Sequence, residues 1–210
     1  MSIFLKLKAT QIEMTINTKD VVLVASFSAL IVVLGLIPPI QMPFVPVPLT
    51  LQTFGVMLAG LILGPTRAGL VLLLYVVIAL LGLPVLPGGR AGLAVLAGPT
   101  AGFLLGMIPG AMLTGWLARL FYKNDSLAPD LTSHEALKPK RRLHIAQYAL
   151  AAIIGGIACV YALGIPWLAF VTKMEFTKAC WAVVIFVPGD LLKALVAAVV
   201  AQRVRQLNML

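Results

Sequence analysis

Three ionisable side chains lie in stretches that are otherwise apolar. Arg90 ends the turn-rich segment GLPVLPGGR, and Asp190 and Lys193 lie three residues apart in VPGDLLK. Positions i and i+3 share one face of a helix, so the acid and the amine point to the same side. A charge among apolar segments is costly unless it meets a partner, and it therefore marks a candidate ligand site. The alternative for Asp190 and Lys193 is an ion pair that only fixes helix packing.

These side chains favour binding over catalysis. The planar guanidinium of Arg90 suits a carboxylate, whereas Asp190 accepts hydrogen bonds and Lys193 donates them. Gln52 and Tyr75 add uncharged hydrogen-bonding groups and are further candidate substrate-binding residues. The matching ligand is small, with an anionic end, an apolar middle and a polar end. This description fits a carboxylated vitamin better than an ion or a sugar.

The sequence lacks the motifs of an enzyme. It contains no nucleophile with a base, no HExxH, no paired carboxylates and no GxxxxGK[ST], so any ATP hydrolysis is expected in separate subunits. His134 and His144 have no cluster of further Cys, His or carboxylate ligands around them. We therefore expect no catalytic residue, no metal and no cofactor.

The composition is that of an integral membrane protein. The 210 residues are 61% hydrophobic and only 11% charged, whereas about a quarter of a soluble domain is charged. The formal charge of +9 does not indicate nucleic acid, because the cations cluster between apolar runs and form no basic stripe with aromatic residues. The sequence predicts one polytopic all-α domain over residues 1–210, with membrane lipids among its partners.

Six apolar segments predict six transmembrane helices. The second and third are shorter than the ~20 residues of a perpendicular span, which suggests tilting or shielding by neighbours. With the N-terminus inside, the inside segments hold twelve lysines and arginines and the outside loops three, so both termini are predicted to be cytoplasmic. The predicted helices cover residues 21–37, 51–63, 68–83, 100–120, 146–168 and 179–201.

Two connections and one helix have a distinctive composition. Residues 38–55, on the outside, carry five prolines within eleven residues, which predicts either a stiff lid over a pocket or a rigid connector without ligand contact. Residues 122–144 are the only long polar stretch and predict a flexible cytoplasmic loop, with its basic end at the anionic lipid surface. Pro188 and Gly189 are expected to weaken or bend the last helix.

Small residues at four-residue spacing predict close helix contacts. A stripe of four glycines on the fourth helix is expected to pack inside the bundle, and an interface in a homo-oligomer is the weaker alternative. Ala25 and Ala29 have the same spacing on the first helix and favour either internal packing or a docking surface for another membrane protein. The four glycines are Gly98, Gly102, Gly106 and Gly110.

The sequence resembles the BioY family, the biotin-binding S components of energy-coupling-factor (ECF) vitamin transporters. The likeness lies in LTLQTFGVMLAGLILGP at residues 49–65, in LLYVVIALLGLPVLPGGRAGLAVLAGPTAGFLLG at residues 73–106, and in VPGDLLK at residues 187–193. It spans most of the chain in order, and the three motifs are specific together.

The resemblance implies a fold, a ligand and partners. The fold would be six transmembrane helices with both termini in the cytoplasm, in the plasma membrane of a prokaryote. Arg90 would hold the valerate carboxylate of biotin, and Asp190 and Lys193 would meet its ureido ring. Ala25 and Ala29 would contact the transmembrane coupling subunit, with two ATPase subunits beneath it. The competing hypotheses are an S component for another small carboxylated vitamin, a structural membrane subunit without a ligand, and an integral-membrane enzyme.

Overall fold

The computed structural model describes residues 17–43, 45–125 and 137–206, and the regular structure in these ranges is almost entirely helical. A short 3₁₀ helix at Leu93–Ala97 and a π-helical segment at Ile153–Cys159 join longer α-helices. The other elements are α1 (Thr18–Leu36), β1 (Ile40–Met42), β2 (Val45–Leu49), α2 (Gln52–Leu63), α3 (Pro65–Leu80), α4 (Ala101–Asp125), α5 (Leu137–Ala152), α6 (Val160–Thr172), α7 (Phe176–Val184) and α8 (Val187–Gln206).

The helices have the length and composition of membrane spans. Within the described residues, three are long and apolar enough to cross a bilayer, namely Thr18–Leu36, Ala101–Phe121 and His144–Thr172. The bent pair α7 and α8 adds a fourth if it is counted as one span. The two remaining apolar helices, α2 and α3, have 12 and 16 residues and are too short for a perpendicular crossing. The predicted apolar segments are therefore helical, and the structure supports three to four spans.

Both described ends of the polar stretch 122–144 are helical, although the sequence predicted a loop over its whole length. Helix α4 continues to Asp125, and α5 begins at Leu137, so residues at both ends of the stretch are helical. Pro139 stands in the first turn of α5, where a missing N–H is tolerated, and good helix formers follow it. Polarity shows only that a segment leaves the apolar region, because a helix can extend beyond it. His134 and the rest of residues 126–136 lie outside the described part.

The last predicted helix is broken, as Pro188 and Gly189 suggested. Helix α7 ends at Val184, α8 begins at Val187, and the two meet at 52°. Pro188 lies in the first turn of α8, the position in which a helix accepts proline best. The break places Asp190 in that first turn instead of mid-helix. A carboxylate is favoured there because the N-terminal end of a helix carries partial positive charge.

Three of the four glycines of the predicted stripe, Gly102, Gly106 and Gly110, pack inside the bundle on α4, whereas Gly98 lies before this helix, at the end of the 3₁₀ helix. A Cβ added to Gly102 would lie 2.3 Å from Cβ of Trp167, and one added to Gly110 would lie 2.7 Å from the carbonyl oxygen of Gly155. The glycines therefore let α4 approach α6 and the π-helical segment backbone to backbone. A Cβ on Gly155 would in turn meet Oγ1 of Thr114 at 2.2 Å. This contact fixes where the π-helical segment lies against α4.

The proline-rich connection folds into an antiparallel hairpin. Strands β1 and β2 pair Ile40 with Leu49 and Met42 with Val45. The hairpin contributes to an apolar cluster with Phe103 of α4 and with residues of α6 and α7. The strands of this connection are therefore extended.

Contacts at one end of the bundle bring the start of α1, the α2–α3 turn and the end of α8 together. Arg67 forms a 2.6 Å ion pair with Asp20, and Arg205 donates a 2.8 Å hydrogen bond to the carbonyl oxygen of Leu61. The described N-terminal and C-terminal helices therefore have their outer ends on the same side. The hairpin and the first turns of α2 and α8 lie toward the opposite side.

Candidate functional site

One cavity opens between the hairpin, α2, α4, α6 and α8. The turn that carries Arg90 forms part of its wall, and Asp190 and Lys193 form another part. Arg90 is exposed, whereas the side chains of Lys193 and Asp190 are only 11% and 3% exposed. The guanidinium is therefore the accessible charged group of the cavity, and the acid and the amine are the enclosed ones.

Asp190 is held by three donors. Its Oδ1 accepts from Nζ of Lys193 at 2.8 Å and from Oγ1 of Thr53 at 3.0 Å, and its Oδ2 accepts from the hydroxyl of Tyr161 at 2.6 Å. A buried polar group is costly unless it is hydrogen-bonded, and each oxygen of this carboxylate has at least one donor. The acid therefore has a fixed orientation, with fewer bonds on Oδ2 than on Oδ1.

Lys193 uses all three of its N–H groups within the protein. Nζ donates to the carbonyl oxygen of Thr50 at 2.6 Å, to Oδ1 of Asp190 at 2.8 Å and to Oγ1 of Thr53 at 3.2 Å. Thr53 lies in the first turn of α2 and Thr50 two residues before that helix, 140 and 143 positions away from Lys193, whereas Asp190 lies on α8 itself. The ammonium therefore ties α8 to the start of α2, and its longest bond is the one to Thr53.

Arg90 is positioned by a tight turn. The amide N–H of Gly89 bonds to the carbonyl oxygen of Leu86 at 2.9 Å, and Gly89 has a φ of 71°, a conformation that glycine adopts at little cost. Nε of Arg90 donates to the carbonyl oxygen of Pro87 at 3.2 Å, and Nη1 donates to Oγ1 of Thr100 at 3.3 Å. In the described part of the chain Nη2 makes no bond, so one edge of the guanidinium is free for an anion.

The space between the charged groups is apolar and aromatic. Val47 of the hairpin, Phe103 of α4, Val160 of α6 and Phe186 before α8 all line it. The rings of Phe103 and Tyr161 meet edge to face, with centroids 6.1 Å apart. The π-helical segment ends at Cys159, immediately before Val160 and Tyr161, so its position determines where these two side chains enter the cavity. Such walls suit a ligand with a hydrocarbon middle.

The structure brings four of the five predicted substrate-binding residues to this cavity. Arg90, Asp190, Lys193 and Gln52 line it, whereas Tyr75 does not. Tyr75 is fully buried, and its hydroxyl accepts a hydrogen bond from Nε2 of Gln52, so it lies behind the wall.

Sequence reasoning missed the residues that complete the cluster. Thr53 and Tyr161 both bond Asp190, and Thr100 bonds Arg90. Thr53 directly follows Gln52, and Tyr161 follows a glycine-rich run, but uncharged side chains of this kind are common in membrane helices. Only their contacts single them out.

Ala25 and Ala29 are exposed on α1, and neither packs inside the bundle. Ala25 lines a groove between α1 and α3 that also contains the ion pair of Asp20 and Arg67. Internal packing, one of the two interpretations of the Ala25 and Ala29 pair, is therefore wrong for the described chain. Ala25 and Ala29 therefore belong to a surface of α1 that is available to a partner or to lipid.

The residues described in the structure contain no group of three or more His, Cys, Asp or Glu side chains that could hold a metal ion. Cys159 and Cys180 are free thiols. The hydrogen-bonding capacity of the cavity is thus supplied by Arg90, Lys193, Asp190 and the uncharged side chains around them.

The fold and the cavity together define a class, that of helical membrane proteins with an enclosed site for a small amphipathic molecule. The chain belongs to the BioY family, whose sequence profile matches residues 8–209. Its relatives include the biotin transporter BioY of Rhizobium etli, which is 46% identical over 189 residues that cover 90% of this chain and 94% of the relative. The biotin transporter BioY of Rhodobacter capsulatus is 40% identical over 198 residues, covering 90% and 94%.

A solved structure has the same fold. The crystal structure of the S-component for biotin from an ECF-type ABC transporter superposes with a TM-score of 0.76 at 30% sequence identity. The match covers 90% of this chain and 91% of that one. The resemblance drawn from the three motifs is therefore confirmed at the level of family and fold.

Proposed function

We propose that this chain is the substrate-binding membrane subunit of an ECF-type biotin uptake transporter and captures biotin outside the cell for import. The observation that carries the proposal is a single cavity in which Arg90 and the pair Asp190 and Lys193 are separated by an apolar lining. Biotin has the complementary parts: a carboxylate on an aliphatic chain, a sulfur-containing ring, and a cyclic urea with two N–H donors and one carbonyl. The names of the BioY relatives favour biotin over another carboxylated vitamin.

Each charged group has a role that its contacts support. The free edge of Arg90 receives the carboxylate, because Nε and Nη1 are already used by Pro87 and Thr100. Asp190 accepts an N–H of the urea at Oδ2, which holds one hydrogen bond where Oδ1 holds two. Lys193 donates to the urea carbonyl in place of its longest bond, the one of 3.2 Å to Thr53.

The proposed topology has six membrane-crossing segments, both termini in the cytoplasm and the cavity toward the outer face. The contacts Arg67–Asp20 and Arg205–Leu61 support it, because they bring both described ends of the chain to the side opposite the cavity. The excess of lysine and arginine in the same segments supports their cytoplasmic location. The proposed membrane is the plasma membrane of a prokaryote.

The proposed partners are a transmembrane coupling subunit and two ATPase subunits. Ala25 and Ala29 are exposed along α1, where small side chains permit a close approach of another helix. Substrate capture requires no chemical turnover by this chain, and the family assignment supports a binding subunit over an enzyme. The energy for import would come from ATP hydrolysed by the separate subunits.

A titration of the purified protein in detergent tests the proposal. Biotin and desthiobiotin are expected to bind, because both carry the urea and the carboxylate. Lipoate has the same five-carbon acid chain but no urea, and biotin methyl ester has the urea but no carboxylate, so both should bind far more weakly. Equal binding of the ester would remove Arg90 from its role. Unchanged biotin binding after Arg90→Ala combined with Asp190→Asn would favour a structural subunit whose charges only pin helices.

A further inference from the structure

A hydrogen-bond relay runs from the cavity wall into the core. The hydroxyl of Tyr75 lies between Nε2 of Gln52, from which it accepts, and the carbonyl oxygen of Val85, to which it donates at 3.1 Å. Tyr75 is fully buried, whereas Gln52 is 4% exposed and lines the cavity. The relay therefore links a side chain that a ligand can touch to one that it cannot.

The chemistry of the relay fixes its direction. The carbonyl oxygen of Val85 can only accept, so the single proton of the Tyr75 hydroxyl must be donated to it. The phenolic oxygen is then an acceptor, and Gln52 must present its NH₂ group rather than its carbonyl oxygen. The opposite amide orientation would place two acceptors against each other. Oε1 of Gln52 is therefore turned away from Tyr75, and no hydrogen bond to it is found among the described residues.

Helix α1 encloses the relay. A Cβ added to Gly35 would lie 3.1 Å from the carbonyl oxygen of Val85, 3.3 Å from Nε2 of Gln52 and 3.4 Å from the hydroxyl of Tyr75. All three polar atoms of the relay thus face the bare backbone of one glycine. Because a side chain at this position would crowd the Val85 oxygen and Nε2 of Gln52 and would contact the Tyr75 hydroxyl, the glycine permits the relay to stay intact. The orientation of the amide is consequently set by packing as well as by hydrogen bonding.

The acid cluster alone leaves too few acceptors for a cyclic urea. Oδ1 of Asp190 already accepts from Lys193 and Thr53, and Oδ2 already accepts from Tyr161. With about two lone-pair positions on each oxygen, one acceptor position remains, on Oδ2. A cyclic urea presents two N–H groups, and an N–H left without a partner in a buried site costs affinity.

We propose that Tyr75 is a positioning residue that turns the amide of Gln52 so that Oε1 accepts the second N–H of the ligand's urea. Gln52 directly precedes Thr53, which bonds Asp190 at 3.0 Å, so the amide and the acid lie at the same end of the cavity. The ligand class selected in this way is a cyclic urea with both nitrogens unsubstituted. The inference rests on the proposed biotin binding and extends it from the charged groups to the uncharged wall.

A double-mutant cycle on biotin affinity tests the proposal. Gln52→Met removes the acceptor at similar volume, and Tyr75→Phe removes the hydroxyl that orients it. Each is expected to weaken biotin binding roughly tenfold, the size of one hydrogen bond in a buried site. The double variant should bind biotin no more weakly than Gln52→Met alone, because Tyr75 acts only through Gln52. Additive losses, roughly a hundredfold in the double variant, would overturn the proposal.

A second ligand separates positioning from a general structural role. Wild-type protein is expected to discriminate strongly between biotin and an analogue methylated on one urea nitrogen, and Tyr75→Phe should reduce that discrimination. A purely structural role would lower both affinities by the same factor. Tyr148→Phe, a buried tyrosine of α5 outside the cavity, serves as the matched control and should leave both affinities unchanged.

A third variant keeps the proposal testable if Tyr75→Phe does not fold. Gly35→Ala removes no hydrogen-bonding group but adds a methyl against all three relay atoms, and it should also weaken biotin binding and reduce the discrimination. Unchanged binding and discrimination in Gly35→Ala would overturn the proposal. Failure of the wild-type protein to bind biotin at all would instead refute the proposed function, so the two failures are distinguishable.

Discussion

Replacement of Lys193 by methionine tests whether the charged cluster is held for a ligand or for packing. The change keeps the length of the side chain but removes the ammonium, and with it the bonds of 2.6 Å to Thr50 and 2.8 Å to Asp190. The carboxylate of Asp190, 3% exposed, is then a buried charge whose remaining donors are the neutral hydroxyls of Thr53 and Tyr161. The loss of one partner of a buried pair costs about 3–5 kcal/mol, and the two remaining donors place this case near 3.

The expected loss of stability can be measured as a decrease in the melting temperature. For a chain of this length about 3 kcal/mol corresponds to a decrease of roughly 6–12 °C in thermal unfolding, measured in detergent without ligand. The double variant Asp190→Asn with Lys193→Met has no unpaired charge, so we expect its stability to return to within about 1 kcal/mol of wild type. Biotin binding should be lost in both variants, because the donor to the urea carbonyl is absent.

Two outcomes would refute this reasoning. Wild-type biotin affinity in the double variant would mean that the cluster only pins α8 to α2. Unfolding of Lys193→Met at the wild-type temperature would mean that the carboxylate does not depend on the ammonium.

Further predictions concern the anion end of the cavity, the α1 surface and the contact between α4 and the π-helical segment. Arg90→Gln should weaken biotin binding roughly 10–100-fold, because it removes a hydrogen bond to a charged group, and it should leave binding of biotin methyl ester unchanged. An equal loss of affinity for both ligands would contradict the role of Arg90. Ala25→Trp combined with Ala29→Trp should abolish biotin uptake by cells that contain the coupling and ATPase subunits, but it should leave biotin binding by the purified chain intact. Leu195→Trp, at an exposed position of α8, is the control and should affect neither uptake nor binding. Gly155→Ala should lower the free energy of unfolding by about 1–3 kcal/mol, since its Cβ would meet Oγ1 of Thr114 at 2.2 Å, and an unchanged thermal unfolding curve would show that the contact is not tight.

The charged residues of the site were predictable because they stand out against an apolar chain. Arg90, Asp190 and Lys193 could be singled out by type and spacing alone, and the structure brings all three to one cavity. The apolar segments were predictable for a similar reason, since hydrophobic length is a local property of the sequence. The helical ends of the polar stretch 122–144 were not, because polarity does not distinguish a loop from a helix that extends beyond the apolar region.

The uncharged members of the site depended on contacts between distant residues. Thr53 and Asp190 are 137 positions apart, and nothing local in either segment shows that they bond. Tyr75 was predicted to bind substrate, yet its burial behind Gln52 follows from the packing of α3 against α1. The place of Tyr161 depends in the same way on a π-helical segment that no apolar periodicity indicates.

Composition and motif order by themselves determined that this protein is an apolar helical chain of the BioY family, with an arginine, an aspartate and a lysine in otherwise apolar stretches. Tertiary structure alone decided which uncharged groups join them, in which direction the amide of Gln52 points, and which face of α1 remains exposed. The physical reason is that hydrophobicity and charge are properties of single residues, whereas a hydrogen-bond partner is chosen by the packing of helices that the chain brings together from far apart.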